Sequence, residues 1–154
     1  MLNSIVSRAK ESFNSLKTEA KKYKSESFLN AAMAASAMIA VADGTISREE
    51  KQKTIAFVRN HEALSIFDPA EVARKFKTYL DSLDPANPDT DPDLAEITAL
   101  NDIGKVKKND DQARMVVRLA IAIGGADGDF DEDEKAKASL IARELGLAPA
   151  DFGL

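Results

Sequence analysis

The chain has 154 residues, 44% of them hydrophobic and 31% charged, with a formal net charge of −5. That is the composition of one soluble domain with a real core; it is too short for two comfortable domains and unlike a disordered or membrane-spanning chain. There is no cysteine and a single histidine, His61, which removes disulfide frameworks, zinc–thiolate sites, thiol nucleophiles and multi-histidine metal centres.

The first predicted element covers residues 2–23. Leu2, Val6, Ala9, Phe13, Leu16, Ala20 and Tyr23 step alternately by four and three, the spacing of an amphipathic helix with one narrow apolar stripe. Residues 1–24 hold six Lys/Arg against two Glu, a net of +4, which leaves −9 for residues 25–154. The organisation expected is a basic helix over 1–24 attached to an acidic body over 25–154. The opening "MLNSIVSRAKESFNSLK" interleaves charges where a signal peptide needs a continuous apolar run. The longest apolar run, residues 31–42, is too short to span a bilayer. A cytoplasmic protein is expected.

From Ser27 the segment "FLNAAMAASAMIAVA" is nearly uncharged and rich in alanine, which predicts a helix in the centre of a bundle, ended by Asp43 and Gly44. Ser47 with Glu50 reads as a capping box opening a helix to about Asn60, with His61 facing solvent near its end. Asp68, Pro69 and Glu71 start a helix that buries Val72, Phe76, Tyr79 and Leu80 and ends by Leu83. "DPANPDTDP" is a loop. Asp91 and Pro92 restart a helix with Leu94, Ile97, Leu100 and Ile103 on one face. Asn109 with Gln112 caps the next, whose stripe is Val116, Val117, Ala120 and Ile121. Asp131 with Glu134 caps the last, which closes at Gly146. No segment alternates with period two for long enough to be a strand. The expected fold is all-α, a single-domain bundle of about seven helices.

Within it lies a repeat. Residues 31–60 laid over 115–144, an offset of 84, share Ile39/Ile123, Ala42/Ala126, Asp43/Asp127, Gly44/Gly128, Glu50/Glu134, Lys51/Lys135, Lys53/Lys137 and Arg59/Arg143. A helix–acidic loop–helix unit is used twice, and two such hairpins packed together predict a pseudo-symmetric core.

The acidic loops raise the question of metal. In the second, Asp127, Asp129, Asp131, Asp133 and Glu134 crowd into eight residues, and alternating carboxylates in a tight loop can converge on a hard divalent ion such as Ca²⁺ or Mg²⁺. Asp127, Asp129 and Asp131 match the opening of an EF-hand loop, but Glu132 stands where that loop needs Gly and Ala138 where it needs a bidentate Glu. Glu134 would then be the helix-side ligand of a shorter loop. The first loop offers only Asp43 and Glu50, helped by Thr45 and Ser47. Helix capping explains much of this without metal: Gly44 and Gly128 as C-caps, Ser47 and Asp131 as N-caps, Glu50 and Glu134 as their partners. It leaves Asp129 and Asp133 unused. Ile46 and Phe130, apolar among polar neighbours, are expected to anchor each loop in the core.

The stretch "AAMAASAMIAVADGTISREEK" and its echo "AIAIGGADGDFDEDEK" resemble the tellurite-resistance protein TerB family, and the resemblance runs over essentially the whole chain. It implies a helical bundle from a bacterial operon for tellurite and stress resistance, without known enzyme activity. It also implies partners among other tellurite-resistance proteins, calcium-binding and membrane-embedded ones included, and metal-binding acidic residues at Asp43, Glu50, Asp127 and Glu134.

Two classes of function follow. The first is a non-catalytic binding module with a basic surface at Arg8, Lys10, Lys17, Lys21, Lys22 and Lys24 and an acidic one at the loops. Basic amphipathic helices lie on anionic membranes, each cation contributing about 1 kcal/mol. Glu11, Glu19 and the narrow stripe argue instead for docking on the chain's own body, leaving at most weak peripheral contact with the inner face of the membrane. An acidic body repels phosphate, so nucleic acid is not an expected partner. The second class is a metal-dependent enzyme working through the clustered carboxylates, which needs a concave site joining a loop to Tyr, Lys or His61.

Overall fold

Alanine decides the centre of the bundle. The computed structural model describes residues 25–44, 46–125 and 130–154. In it helix α1, Glu26–Ala40, is buried on every side, from Phe28 and Leu29 through Ala31, Ala32, Ala34, Ala35 and Ala37 to Met38 and Ile39. Small side chains let neighbouring helices approach its axis closely, and its one interior hydroxyl, Ser36, is satisfied by donating to the Ala32 carbonyl at 2.7 Å. Ser25 caps its start, accepting from the Phe28 N–H at 3.2 Å.

Around it run α2 (Arg48–Arg59), α3 (Pro69–Leu83), α4 (Pro92–Gly104), α5 (Asp110–Gly124) and α6 (Glu132–Glu144), with short 3-10 turns at Glu62–Leu64 and Pro149–Phe152. The described residues are all-α, with six α-helices and no strand; the helix expected over residues 2–23 lies outside them. α1 packs most extensively on α5 and also contacts α3, α4 and α6, whereas α2 packs chiefly on α3.

The repeat is real in three dimensions. α1 and α5 begin and end 84 residues apart, as do their N-caps, Ser25 and Asn109, their C-caps, Val41 and Gly125, and the next N-caps, Ser47 and Asp131. The two repeat helices meet at their C-terminal ends. A Cβ built on Gly124 would come within 2.5 Å of Ile39 Cγ2 and 3.3 Å of the Ser36 carbonyl oxygen. The C-terminal ends of α1 and α5, from which the two acidic segments follow in sequence, therefore lie together at one end of the bundle.

Several expectations are corrected. α1 ends at Ala40 with Val41 as C-cap, three residues before Gly44; the glycine instead takes a left-handed turn (φ +119°) further out. On α4 the inward face is Ala95, Ala99 and Ile103, leaving Leu94 and Ile97 exposed, because alanine again allows the closer approach to α1. Tyr79 is half-buried, with its hydroxyl donating to Asp102 Oδ2 at 2.6 Å, while Lys75 is buried and bridges Glu26 and Asn30 on α1. The stripe on α5 is buried as expected, Val116, Val117, Ala120 and Ile121 all lying in the core.

Gly124→Ala should therefore destabilise the fold by about 1–3 kcal/mol through overpacking against Ile39, read as a lowered urea midpoint. Combining it with Ile39→Val should restore nothing, because valine keeps the Cβ and the γ-methyl that lie against the new methyl group.

Candidate functional site

At the shared end, the first turn is held by main-chain bonds from Val41, Ala42 and Gly44 back to Ala37, Ile39 and Val41. Asp43 is exposed on it. Ser47 Oγ accepts from the Glu50 N–H at 3.1 Å, and the Glu50 side chain lies exposed on the first turn of α2. The second copy is tied down more firmly. Asp131 Oδ1 accepts from the Glu134 N–H at 2.8 Å and Glu134 Oε1 accepts from the Asp131 N–H at 3.2 Å, a reciprocal capping box, with Glu134 only 6% exposed. Phe130 is buried beneath it, its ring filling the space a Cβ on Gly125 would need, while Ile46 is half-buried.

Of the six acidic residues singled out from the sequence, four are described. Asp43 and Glu50 stand at one turn, Asp131 and Glu134 at the other; Asp127 and Asp129 lie outside the described residues, as do Arg8, Lys10, Lys17, Lys21, Lys22 and Lys24. Among the described residues no three acidic or histidine side chains converge as a metal cage. Asp131 and Glu134 each use an oxygen on a backbone N–H, so at this turn any coordination geometry would have to share carboxylates with the cap. Helix N-termini add to the local field, with Glu49 and Glu50 in the first turn of α2 and Glu132, Asp133 and Glu134 in that of α6.

The structure assigns His61 differently from the sequence pattern. α2 ends at Arg59, and His61 opens the next 3-10 turn, 6% exposed, with Nδ1 accepting from the Ala63 N–H at 3.2 Å and its ring edge-on to Phe57 at 5.3 Å. Burial lowers its pKa below the ordinary histidine value, partly opposed by Glu62. The signal available in sequence was its place three residues after Val58, on the buried edge of α2. An open depression lies beside it, lined by Lys53, Ala56, Phe57, Asn60, His61 and Glu62. It runs from Lys53, midway along α2, to Glu62; His61 lies past the end of α2 opposite the acidic turn, about 18 Å away for a 12-residue helix, so His61 and the turn carboxylates do not share a site.

Also unforeseen is the clamp that holds α2. Lys51 reaches Asp81 at 3.0 Å and the buried Asp84 at 3.1 Å, both on or just after α3. Burial alone would lower the Lys51 pKa, but the two carboxylates outweigh it and hold the ammonium above its ordinary value. Lys77 adds a second cation at 2.6 Å on Asp81, whose carboxyl is held below its usual range in spite of partial burial.

A bundle of two helix–acidic turn–helix units sharing one end is the class of protein these features define. The chain belongs to the tellurite resistance protein TerB family, whose family model matches residues 29–154. It is 34% identical over 100 residues to the tellurium resistance protein TerB of Alcaligenes sp, an alignment covering 65% of this chain and 78% of that relative. No solved structure matches.

Two outcomes are expected. Asp131→Ala, which removes the cap, should cost about 1 kcal/mol in urea unfolding, and Asp131→Asn, which keeps an accepting oxygen, much less. Because folding favours neutral His61, its stabilisation is complete above the unfolded value of 6.5 and falls as pH drops below it. The decline in urea midpoint just below pH 6.5 should flatten in His61→Gln.

Proposed function

We propose that the protein is a non-catalytic binding module of a bacterial tellurite-resistance and stress-response system, acting in the cytoplasm. Its working surface is the end of the bundle where the two acidic turns emerge together, which takes up a divalent cation, Ca²⁺ or Mg²⁺, and meets other proteins of the resistance system, a membrane-embedded one among them. The observation that carries this reading is the close approach of Gly124 to Ile39 and Ser36. It brings the C-terminal ends of α1 and α5 together, which supports reading Asp43, after α1, and Asp131, before α6, as parts of one surface. Membership of the TerB family supports the resistance role.

The twin turns also differ in a way that suits binding. The second is braced by a reciprocal cap and the buried Phe130, whereas the first leaves Asp43 and Glu50 in solvent. Anchoring Asp131 and Glu134 in a cap lowers what must be ordered at the moment of binding for those two carboxylates. A carboxylate enzyme would need a concave site joining the turns to an acid, base or nucleophile, and the depression holding His61 opens at the other end of α2.

Titration with Ca²⁺ and with Mg²⁺, followed residue by residue in amide NMR spectra, tests this. Saturable shifts at residues 128–134 are expected, abolished by Asp129→Asn with Asp131→Asn, substitutions that keep the N-cap oxygen. Flat or merely screening-like shifts up to millimolar ion would overturn the cation part of the reading.

A further inference from the structure

The repeat is faithful in its helix boundaries but not in its packing. At the offset of 84, Thr54, Phe57, Val58 and His61 of the first unit correspond to Ala138, Ile141, Ala142 and Leu145 of the second. In the second unit all four are buried. In the first, Val58 and His61 are buried, Thr54 is half-buried, and Phe57 is 44% exposed where Ile141 is 1% exposed. α2 has turned a neighbouring face, carrying Lys51, Ile55 and Val58, toward α3. Of the four positions by which α6 joins the core, Phe57 is the one left at the surface, in a depression lined by Lys53, Ala56, Phe57, Asn60, His61 and Glu62.

In the second unit, α6 is closed by the helix immediately before the hairpin. α4 packs along α6, with Glu96 paired to Lys137 at 2.7 Å and Gly104 beside Glu144. The segment immediately before the first hairpin is residues 1–24. Moved back by 84, the span of α4 falls on residues 8–20, inside the amphipathic stripe. With a one-residue slip, the inward Ala99, Ile103 and Val106 fall on Leu16, Ala20 and Tyr23. Lys53, on the rim of the depression, is the counterpart of Lys137.

The place where this segment ends agrees. It joins α1 at the N-cap Ser25, and Phe28 in the first turn stacks on Phe67 at 6.4 Å. Phe67 follows the 3-10 turn Glu62–Leu64, which itself follows α2, so the chain enters α1 next to the corner where the depression lies. As a helix, 24 residues reach about 36 Å, twice the length of α2.

We propose that residues 1–24 dock their apolar stripe into the depression on α2, with Phe13 and Leu16 against Phe57, closing the first hairpin as α4 closes the second. Docked in this way, the segment turns Arg8, Lys10, Lys17, Lys21, Lys22 and Lys24 outward as a cationic surface fixed to the body. The proposal is independent of cation binding at the acidic turns.

The absence of native cysteine makes a single spin label clean. In the full chain, a nitroxide on Ser12→Cys should raise the transverse relaxation of amides 53–62 several-fold over the reduced label and leave amides 92–101, around the exposed Leu94 and Ile97, unchanged. Phe57→Ser, at a position 44% exposed, should reduce that enhancement. A mixture of isotope-labelled unmodified chain with spin-labelled unenriched chain should show none. Enhancement centred on residues 92–101, enhancement seen in the mixture at the same strength, or no enhancement at residues 53–62 would each overturn the proposal.

Discussion

The contact on which the fold depends is the one between α1 and α5, and it is made possible by what those helices lack. α1 is lined with alanine where an ordinary core helix carries leucine, and α5 ends in a glycine at the point where it meets Ile39 and the backbone of Ser36. Close-packed interiors leave no slack for extra methyl groups, so the two repeat helices are set at one distance and one end. The turns that follow them inherit that adjacency. The siting of the carboxylates is thus a consequence of core packing, decided well away from the charges themselves.

Much of this was legible in the sequence. Caps, prolines and periodicity located the six described helices to within a few residues, since Ser47, Asp68, Asp91, Asn109 and Asp131 accept main-chain bonds in the first turns they were expected to open. The family resemblance and the internal repeat were also readable. What was not readable depends on which face of a helix finds a neighbour. Leu94 and Ile97 look like a core stripe by hydrophobicity, but alanine at positions 95 and 99 wins the inward face because it permits a closer approach. His61 looked like a solvent-facing helix terminus and is buried because the chain turns back on itself two residues after α2 ends. Lys75 and Asp84 reach their partners across helices, a pairing no local pattern announces. Of the candidate cation residues, the capping roles of Asp131 and Glu134 were foreseen; the shared end of the two turns followed only from the Gly124 contact.

Two copies of one unit have diverged in how they are held. The second hairpin closes on the core through apolar side chains and a reciprocal cap, with Phe130 beneath its turn. The first keeps the inner-helix length and the N-cap positions, with an outer helix one residue shorter, and ties that helix to α3 through the Lys51 ion pairs as well as through Val58 and Ile55.

The Lys51 clamp makes that difference concrete. α2 buries only Val58 completely and packs Ile55 against the core, and one ammonium shared between Asp81 and Asp84 adds to its hold on the body. Attraction between partly exposed charges weakens as ionic strength rises, whereas burial of hydrocarbon does not. Opening of α2 breaks the Lys51 pairs with Asp81 and Asp84, and opening of α6 breaks the Lys137 pair with Glu96, so each is opposed in part by an attraction that salt weakens. The first acidic turn thus joins a helix held by close alanine packing to one held partly by charge, and its anchorage on the α2 side weakens as ionic strength rises.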